Sequence, residues 1–391
     1  MLDRILTSRI KKLNSSVILL GPRQVGKSTL IAALQPDVFV DLADESQFLK
    51  FAKNPGLLKR RLDAVPKVGL VALDEVQRVP ALLNMVQHII DLSKRAERPL
   101  RFVLSGSSAR KLRKGGANLL PGRVALEYMD PLTTQELGAR FDLERCLQVG
   151  CLPGIFLGGD DALSLLDTYV EVYLREEIQA EALARDIGAF ARMLDVVAIV
   201  SGSWLNYSKI ASDTEIPKET IRRYVDVLVD TLVLFRIPPF RPKLKITRRV
   251  TQADKIFLFD VGVRNALLGT HRSPVAPDRR GESFEHWLVL QIIYLNRALK
   301  KGWSLSSYRT EGGAEVDLVI ERDRDIIGIE IKASRNIATR DARGLASLAE
   351  TIGRYKPLRR WIAAQVDEVE RLPDGTEVMP FLMLLDRLAA E

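Results

Sequence analysis

The residues Gly21-Pro22-Arg23-Gln24-Val25-Gly26-Lys27-Ser28-Thr29 follow the spacing G-x-x-x-x-G-K-[ST]. Glycine lets backbone amides approach an anion closely, and a helix N-terminus adds partial positive charge. That is the chemistry of cradling nucleotide phosphates. Lys27 is spaced to reach the outer phosphates, and the Ser28 hydroxyl to bind Mg2+. Further along, Asp74-Glu75 closes an apolar run. An acidic pair at a strand end suits Mg2+-dependent hydrolysis, with Asp74 in the metal shell and Glu75 orienting or deprotonating the attacking water. Ser107, within Ser105-Gly106-Ser107-Ser108, offers a hydroxyl to sense a terminal phosphate, unless these small residues only end a strand. Arg123 precedes another strand-like run, where in an oligomer it would act on a neighbour's phosphate. Arg110 competes with it, and an ordinary surface Arg is the alternative.

A second set of reactive groups lies in the last third. Asp317 and Glu330 each interrupt an apolar strand-like run, and Lys332 follows Glu330 by two, so the pair shares a face. Carboxylates buried in strands cost several kcal/mol unless paired or metal-bound. Mg2+ held by Glu285, Asp317 and Glu330, with Lys332 positioning a water or stabilising charge, would resolve that cost. The plainer alternative is a structural Glu330–Lys332 pair with Asp317 capping a turn. Between the two sets, residues 204–225 read as two short helices joined tightly, with Ser208 as the expected first cap and Pro217 opening the second. This is a helix-turn-helix pattern whose second helix would present Lys218, Thr220, Arg222 and Arg223 to a DNA major groove. Arg241, Lys243, Lys245, Arg248 and Arg249 follow with no acid among them, as a basic wing would for phosphate contacts. A solvated face or a protein-binding module is the competing reading.

Elements must position these groups. Residues 17–20 form an apolar run suited to a strand buried on both faces, and 30–34 read as the helix after the phosphate loop. Runs at 38–42, 68–73 and 100–104 recur at intervals that allow βαβ crossovers. From 162 to 200 the pattern is helical, with Leu165, Tyr169, Val172, Tyr173 and Ile178 near a 3.6-residue period. Residues 281–294 open a helix, and strands are expected at 304–309, 315–320 and 326–332. His286 is expected to pack in the helix rather than to ligate.

Composition sets the limits. The chain has 391 residues, 47% hydrophobic and 28% charged, which excludes a disordered chain and exceeds one ordinary core. Lys and Arg number 58 against 50 Asp and Glu, a formal +8 that weakly favours a polyanion partner. Two cysteines, Cys146 and Cys151, allow neither a disulfide framework nor a four-ligand zinc site with His88, His271 and His286. No signal-peptide core and no ~18-residue apolar span is present, so a soluble cytoplasmic protein without membrane contact is expected.

The segments GPRQVGKSTL, LDEVQ, LSGSSA and GRV...MDPLTTQEL together resemble prokaryotic AAA-type (AAA+) P-loop ATPases. In that family the ATPase core is followed by a winged-helix segment and a domain similar to PD-(D/E)xK nucleases. The helix Glu, strand Asp and Glu-x-Lys of the last third are similar to that nuclease arrangement, and Glu285 rather than Glu282 fits its G-x-x-x-E helix. The resemblance implies an α/β fold: a P-loop core over 1–145, a helical lid over 146–200, a winged helix over 201–275 and a restriction-endonuclease-like domain over 276–391. It implies ATP and Mg2+ as cofactors, DNA as partner, and a homo-oligomer such as a hexameric ring. Two functions follow from it. One is an ATPase acting on duplex or branched DNA, with Mg2+-dependent nuclease activity as an addition. The other is a nucleotide-operated oligomeric switch or scaffold whose nuclease-like domain only binds.

Overall fold

The computed structural model describes residues 2–65, 67–95, 100–107, 120–174, 187–241, 252–353 and 355–391. The chain divides into two compact units: Met1–Asp130 with Asp230–Val233, and the remainder.

In the first unit, α1 (Ile5–Lys12), β1 (Ser16–Leu20), α2 (Lys27–Ala33), β2 (Val38–Asp41), α3 (Glu45–Lys53), α4 (Leu57–Asp63), β3 (Leu70–Asp74), α5 (Ala81–Arg95), β4 (Arg101–Gly106) and β5 (Val124–Tyr128) succeed one another. The strands form one sheet in the order β2-β3-β4-β1-β5, and every pairing is parallel. All five positions of β1 are buried, which is why its sequence is an apolar run and not an alternation. Ile18, Leu20, Leu73, Phe102 and Leu104 share one core with Leu82, Leu83, Val86 and Ile90 of α5. Parallel strands put their carboxyl ends on one edge of the sheet, where ligands of such folds bind. The loop after β1 and the acids ending β3 therefore share that edge, with the end of β4 between them.

The second unit begins with helices: α6 (Leu143–Val149), α7 (Ala162–Thr168), a π turn at Tyr169–Leu174, and α8 (Ile187–Val200). The expected apolar stripe is only partly kept, since Tyr169 is buried while Leu165 and Val172 are exposed. A π turn holds more residues than an α turn, so it shifts the phase of a 3.6-residue pattern. Ile178 and the Tyr173 side chain lie outside the described residues. Next come α9 (Tyr207–Thr214) and α10 (Lys218–Asp230), then β6 (Leu234–Ile237) and β7 (Lys255–Leu258), which pair antiparallel. The cap of α9 is Asn206, not Ser208 as expected: its side chain accepts from the backbone N–H of Ser208 and Lys209. Asn and Ser serve equally as caps, and the helix simply starts two residues earlier.

The last elements are α11 (Val261–Leu267), α12 (Arg280–Ala298), β8 (Ser304–Arg309), β9 (Glu315–Glu321), β10 (Ile326–Lys332), α13 (Arg343–Ile352), β11 (Leu358–Ala364), β12 (Glu370–Arg371), β13 (Glu377–Pro380) and α14 (Phe381–Ala390). Their sheet runs β12-β13-β11-β10-β9-β8. Strands β8, β9 and β10 are antiparallel, whereas β10 and β11 are parallel and need the crossover that α13 supplies. Phe284, Trp287, Leu288 and Tyr294 of α12 are buried. Among the described residues, no helix is long and apolar enough to cross a membrane.

Candidate functional site

After Leu20 the chain passes Gly21, where a Cβ would lie 2.2 Å from the Met129 carbonyl oxygen, so no larger residue fits. At Gly26 φ is +96°, a left-handed conformation that glycine adopts freely, and α2 starts at the next residue. Lys27 is buried, and its Nζ donates to the carbonyl oxygens of Gly21 (2.8 Å) and Pro22 (2.9 Å). The amine thus lies over its own loop. Val25 is buried beneath, while Gln24, Ser28 and Thr29 are exposed and Arg23 is half-buried. Arg4 fixes the loop from outside, its guanidinium donating to Val25 O (2.7 Å) and Asp130 O (2.6 Å). Nothing in the spacing of the motif points to Arg4.

Asp74 ends β3 with a buried carboxylate. The Ser105 hydroxyl donates to its Oδ1, and Ser105 Oγ in turn accepts from the Glu75 backbone N–H at 3.0 Å. Register explains the meeting, because Leu73 pairs with Leu104 and brings the next residues opposite. Glu75 itself has φ +56°, a strained conformation for a side-chain-bearing residue that re-aims the carboxylate. That carboxylate accepts from Gln77 Nε2, which also reaches Ser107 Oγ at 3.4 Å. Ser107 is therefore linked to Glu75 through Gln77, while Ser105 makes the direct contact with the acids. Sequence reading singled out Ser107 and passed over Ser105 and Gln77.

Arg123 sits just before β5, and Val124 pairs with Ser16, so it lies at the edge opposite the phosphate loop. Its guanidinium makes two bonds to Asp91, at 2.8 and 3.0 Å. Arg110 lies outside the described residues.

In the second unit the expected acids converge on lysines. Lys255, the first residue of β7, is buried and places its ammonium 2.6 Å from Glu285, 3.5 Å from Glu315 and 3.8 Å from Asp317. Burial opposes its charge, but the carboxylates of Glu285 and Asp317 outweigh burial and hold it above the usual lysine range. Lys332 donates to Glu330 Oε1 at 2.6 Å, and the Ile331 N–H donates to Asp317 Oδ2 at 2.8 Å. Burial, with Asp317 nearby, pushes Glu285 up to about 7 against the pull of Lys255. Burial and Asp317 likewise push Glu330 up to about 8 against Lys332. Glu330 Oε2 is buried without a hydrogen-bond partner. Among the described residues, no three His, Cys, Asp or Glu side chains group so as to hold a metal ion. The acids expected from the sequence as a metal set, Glu285, Asp317 and Glu330, lie close enough for Asp317 to raise the pKa of the other two, and one oxygen of each is engaged by an amine or amide. Lys255 was missed because it sits 30 residues upstream of Glu285, on a strand of a different sheet. His286 packs as expected, its Nε2 2.8 Å from Leu258 O and its pKa pushed down to about 3 by burial.

Lys218, Arg222 and Arg223 are exposed on α10. Lys218 donates to Ser208 Oγ (3.2 Å), and Arg222 pairs with Glu219 (3.0 Å). Lys218 and Arg222 line a cavity of about 500 Å³ with Lys209, Arg309, Trp204 and Tyr207, and no carboxylate is among the lining residues. Arg248 and Arg249, together with Lys243 and Lys245, lie outside the described residues.

Residues 13–138 match the model of an AAA domain. The N-terminal unit is similar to AAA-type P-loop domains. Beyond the AAA domain, residues 140–273 and 280–384 match two domains of unknown function, DUF8612 and DUF4143. Uncharacterized proteins of Mycobacterium bovis and Mycobacterium tuberculosis are each 28% identical over 327 residues, 81% of this chain and 70% of theirs. A solved structure of Thermotoga maritima RuvB covers 59% of this chain and 85% of its own at 16% identity, with a TM-score of 0.31.

Proposed function

We propose that this protein binds ATP with Mg2+ in its AAA domain, hydrolyses it, and applies the reaction to DNA held by the second unit. The observation that supports hydrolysis is the meeting of Asp74, Glu75 and Ser105 on the sheet edge that also carries the phosphate loop. Mg2+ would be held by Ser28 and through Asp74, and would supply charge neutralisation at the phosphates. Lys27 would leave the carbonyls of Gly21 and Pro22 for phosphate oxygens, a stronger charge-assisted partner. Glu75, aimed by its left-handed backbone and by Gln77, would hold the attacking water. Ser107 would report on the terminal phosphate through the same Gln77. Arg123 would serve a neighbouring subunit in a homo-oligomer, exchanging Asp91 for phosphate.

The DNA half rests on the cavity beside α9 and α10. Four cations, two aromatic rings and no carboxylate suit a phosphate backbone. With the paired strands β6 and β7 after α10, the segment reads as a winged helix. The order helix α12, three antiparallel strands, crossover α13 and parallel β11 suits a nuclease-like domain. A binding role for that domain is favoured over cleavage, because Lys255, Lys332 and the Ile331 N–H engage its three acids.

Steady-state ATPase measurements with and without linear, single-stranded and four-way-junction DNA test this reading. Turnover that needs Lys27 and rises several-fold with at least one DNA is expected. Turnover indifferent to every DNA would leave the nucleotide-operated scaffold in its place.

A further inference from the structure

The acidic cluster of the C-terminal domain is built around an ammonium. Lys255 Nζ lies 2.6 Å from Glu285, 3.5 Å from Glu315 and 3.8 Å from Asp317, and the residue is 3% exposed. An ammonium removed from water is costly unless carboxylates surround it, so three acids around one lysine form a mutually dependent set. Two further oxygens of the cluster are engaged, while Glu330 Oε2 is left without a partner. Asp317 Oδ2 accepts the Ile331 N–H, and Glu330 Oε1 accepts from Lys332. A divalent ion bound to Asp317 would sit within a few ångströms of Lys255, and like charges at that distance repel strongly in a partly desolvated site.

We propose that Lys255 is the resident cation of this cluster, filling the electrostatic role of a divalent metal, so that the domain is metal-free in its working form. The ammonium joins β7 to α12 and β9 by charge, where a metal would join α12, β9 and β10. The inference is independent of whether the AAA domain hydrolyses ATP or the protein binds DNA.

Mn2+ binding to the full chain, followed by electron paramagnetic resonance in nucleotide-free buffer, tests it. Wild-type protein and the Asp317→Asn variant should give the same weak titration, since Asp317 holds no metal. Lys255→Met should gain one Mn2+ site at least tenfold tighter than any in wild type. Adding Asp317→Asn to Lys255→Met should abolish the gain. A wild-type Mn2+ site that disappears with Asp317→Asn overturns the proposal, whatever Lys255→Met does. A folded Lys255→Met that gains no site overturns it as well. If Lys255→Met does not fold, Glu330→Gln joins Asp317→Asn in the wild-type comparison: unchanged Mn2+ binding in both supports the proposal, and loss in either rejects it.

Discussion

The Ser105 hydroxyl bridges the two acids that end β3: it donates to the Asp74 carboxylate and accepts from the Glu75 N–H at 3.0 Å. Ser105 therefore sets both the charge environment of Asp74 and the backbone turn that aims Glu75. Ser105→Ala leaves a buried carboxylate and a backbone N–H short of a partner, which should cost roughly 1–3 kcal/mol of stability. The turnover number for ATP should fall about tenfold with nucleotide affinity nearly unchanged, as expected for a lost positioning contact. Calorimetric nucleotide binding beside steady-state turnover checks the split. A loss confined to affinity would remove Ser105 from the hydrolytic arrangement.

Glu75 and Gln77 give a graded pair. Glu75→Gln should retain ATP and slow hydrolysis by on the order of 10²-fold or more, the usual effect of losing a general base. Gln77→Ala removes the donor that holds the Glu75 carboxylate and reaches Ser107, so it should slow hydrolysis by less. Combining the two should add little to Glu75→Gln alone, because Gln77 acts through Glu75. Single-turnover rates at saturating nucleotide provide the comparison.

The phosphate loop was legible because its chemistry is local: nine consecutive residues carry the cradle, and β1 and α2 flank them as the motif requires. Strands of the C-terminal sheet were legible for the same reason, and β8 and β10 fall where their apolar patterns put them. What escaped depends on register and on distance along the chain. Ser105 and Ser107 look alike in sequence, and only the pairing of Leu73 with Leu104 shows which one meets Asp74. Arg4 reaches the loop from 21 residues before Val25. Lys255 lies 62 positions before Asp317, so the acids were read without the amine among them. A buried carboxylate implies a cation, but sequence alone does not say whether that cation is a metal or a lysine.

DNA contact by the second unit should show in salt dependence. Lys218→Ala, Arg222→Ala and Arg309→Ala each remove one cation from the cavity, which has no compensating acid in its lining. Each should weaken binding and lower the salt slope by roughly one counterion, without changing sequence preference. Arg222 already pairs with Glu219, so its effect should be the smallest of the three. Fluorescence anisotropy across a salt series measures the slopes. Three unchanged slopes would take this cavity out of the interface.

Asp260 makes a pH prediction that concerns stability alone. It caps α11, its Oδ1 accepting from Val263 N (3.1 Å) and its Oδ2 from Cys151 N (2.7 Å). Burial pushes its carboxyl up to about 6 from 3.8, against the lowering effect of those backbone donors. A raised carboxyl means the folded state binds a proton that the unfolded state has released. Its stabilising share is therefore complete below the unfolded value and is lost as pH rises through about 6. Asp260→Ala lacks the cap at every pH and should be less stable throughout. The advantage of wild type over Asp260→Ala should be larger at an acidic pH near 4.5 than at one near 7.5, by a few kcal/mol at most. Urea unfolding of both proteins at the two pH values decides it. An advantage that grows toward neutral pH would mean that the capping donors, and not burial, govern this carboxylate.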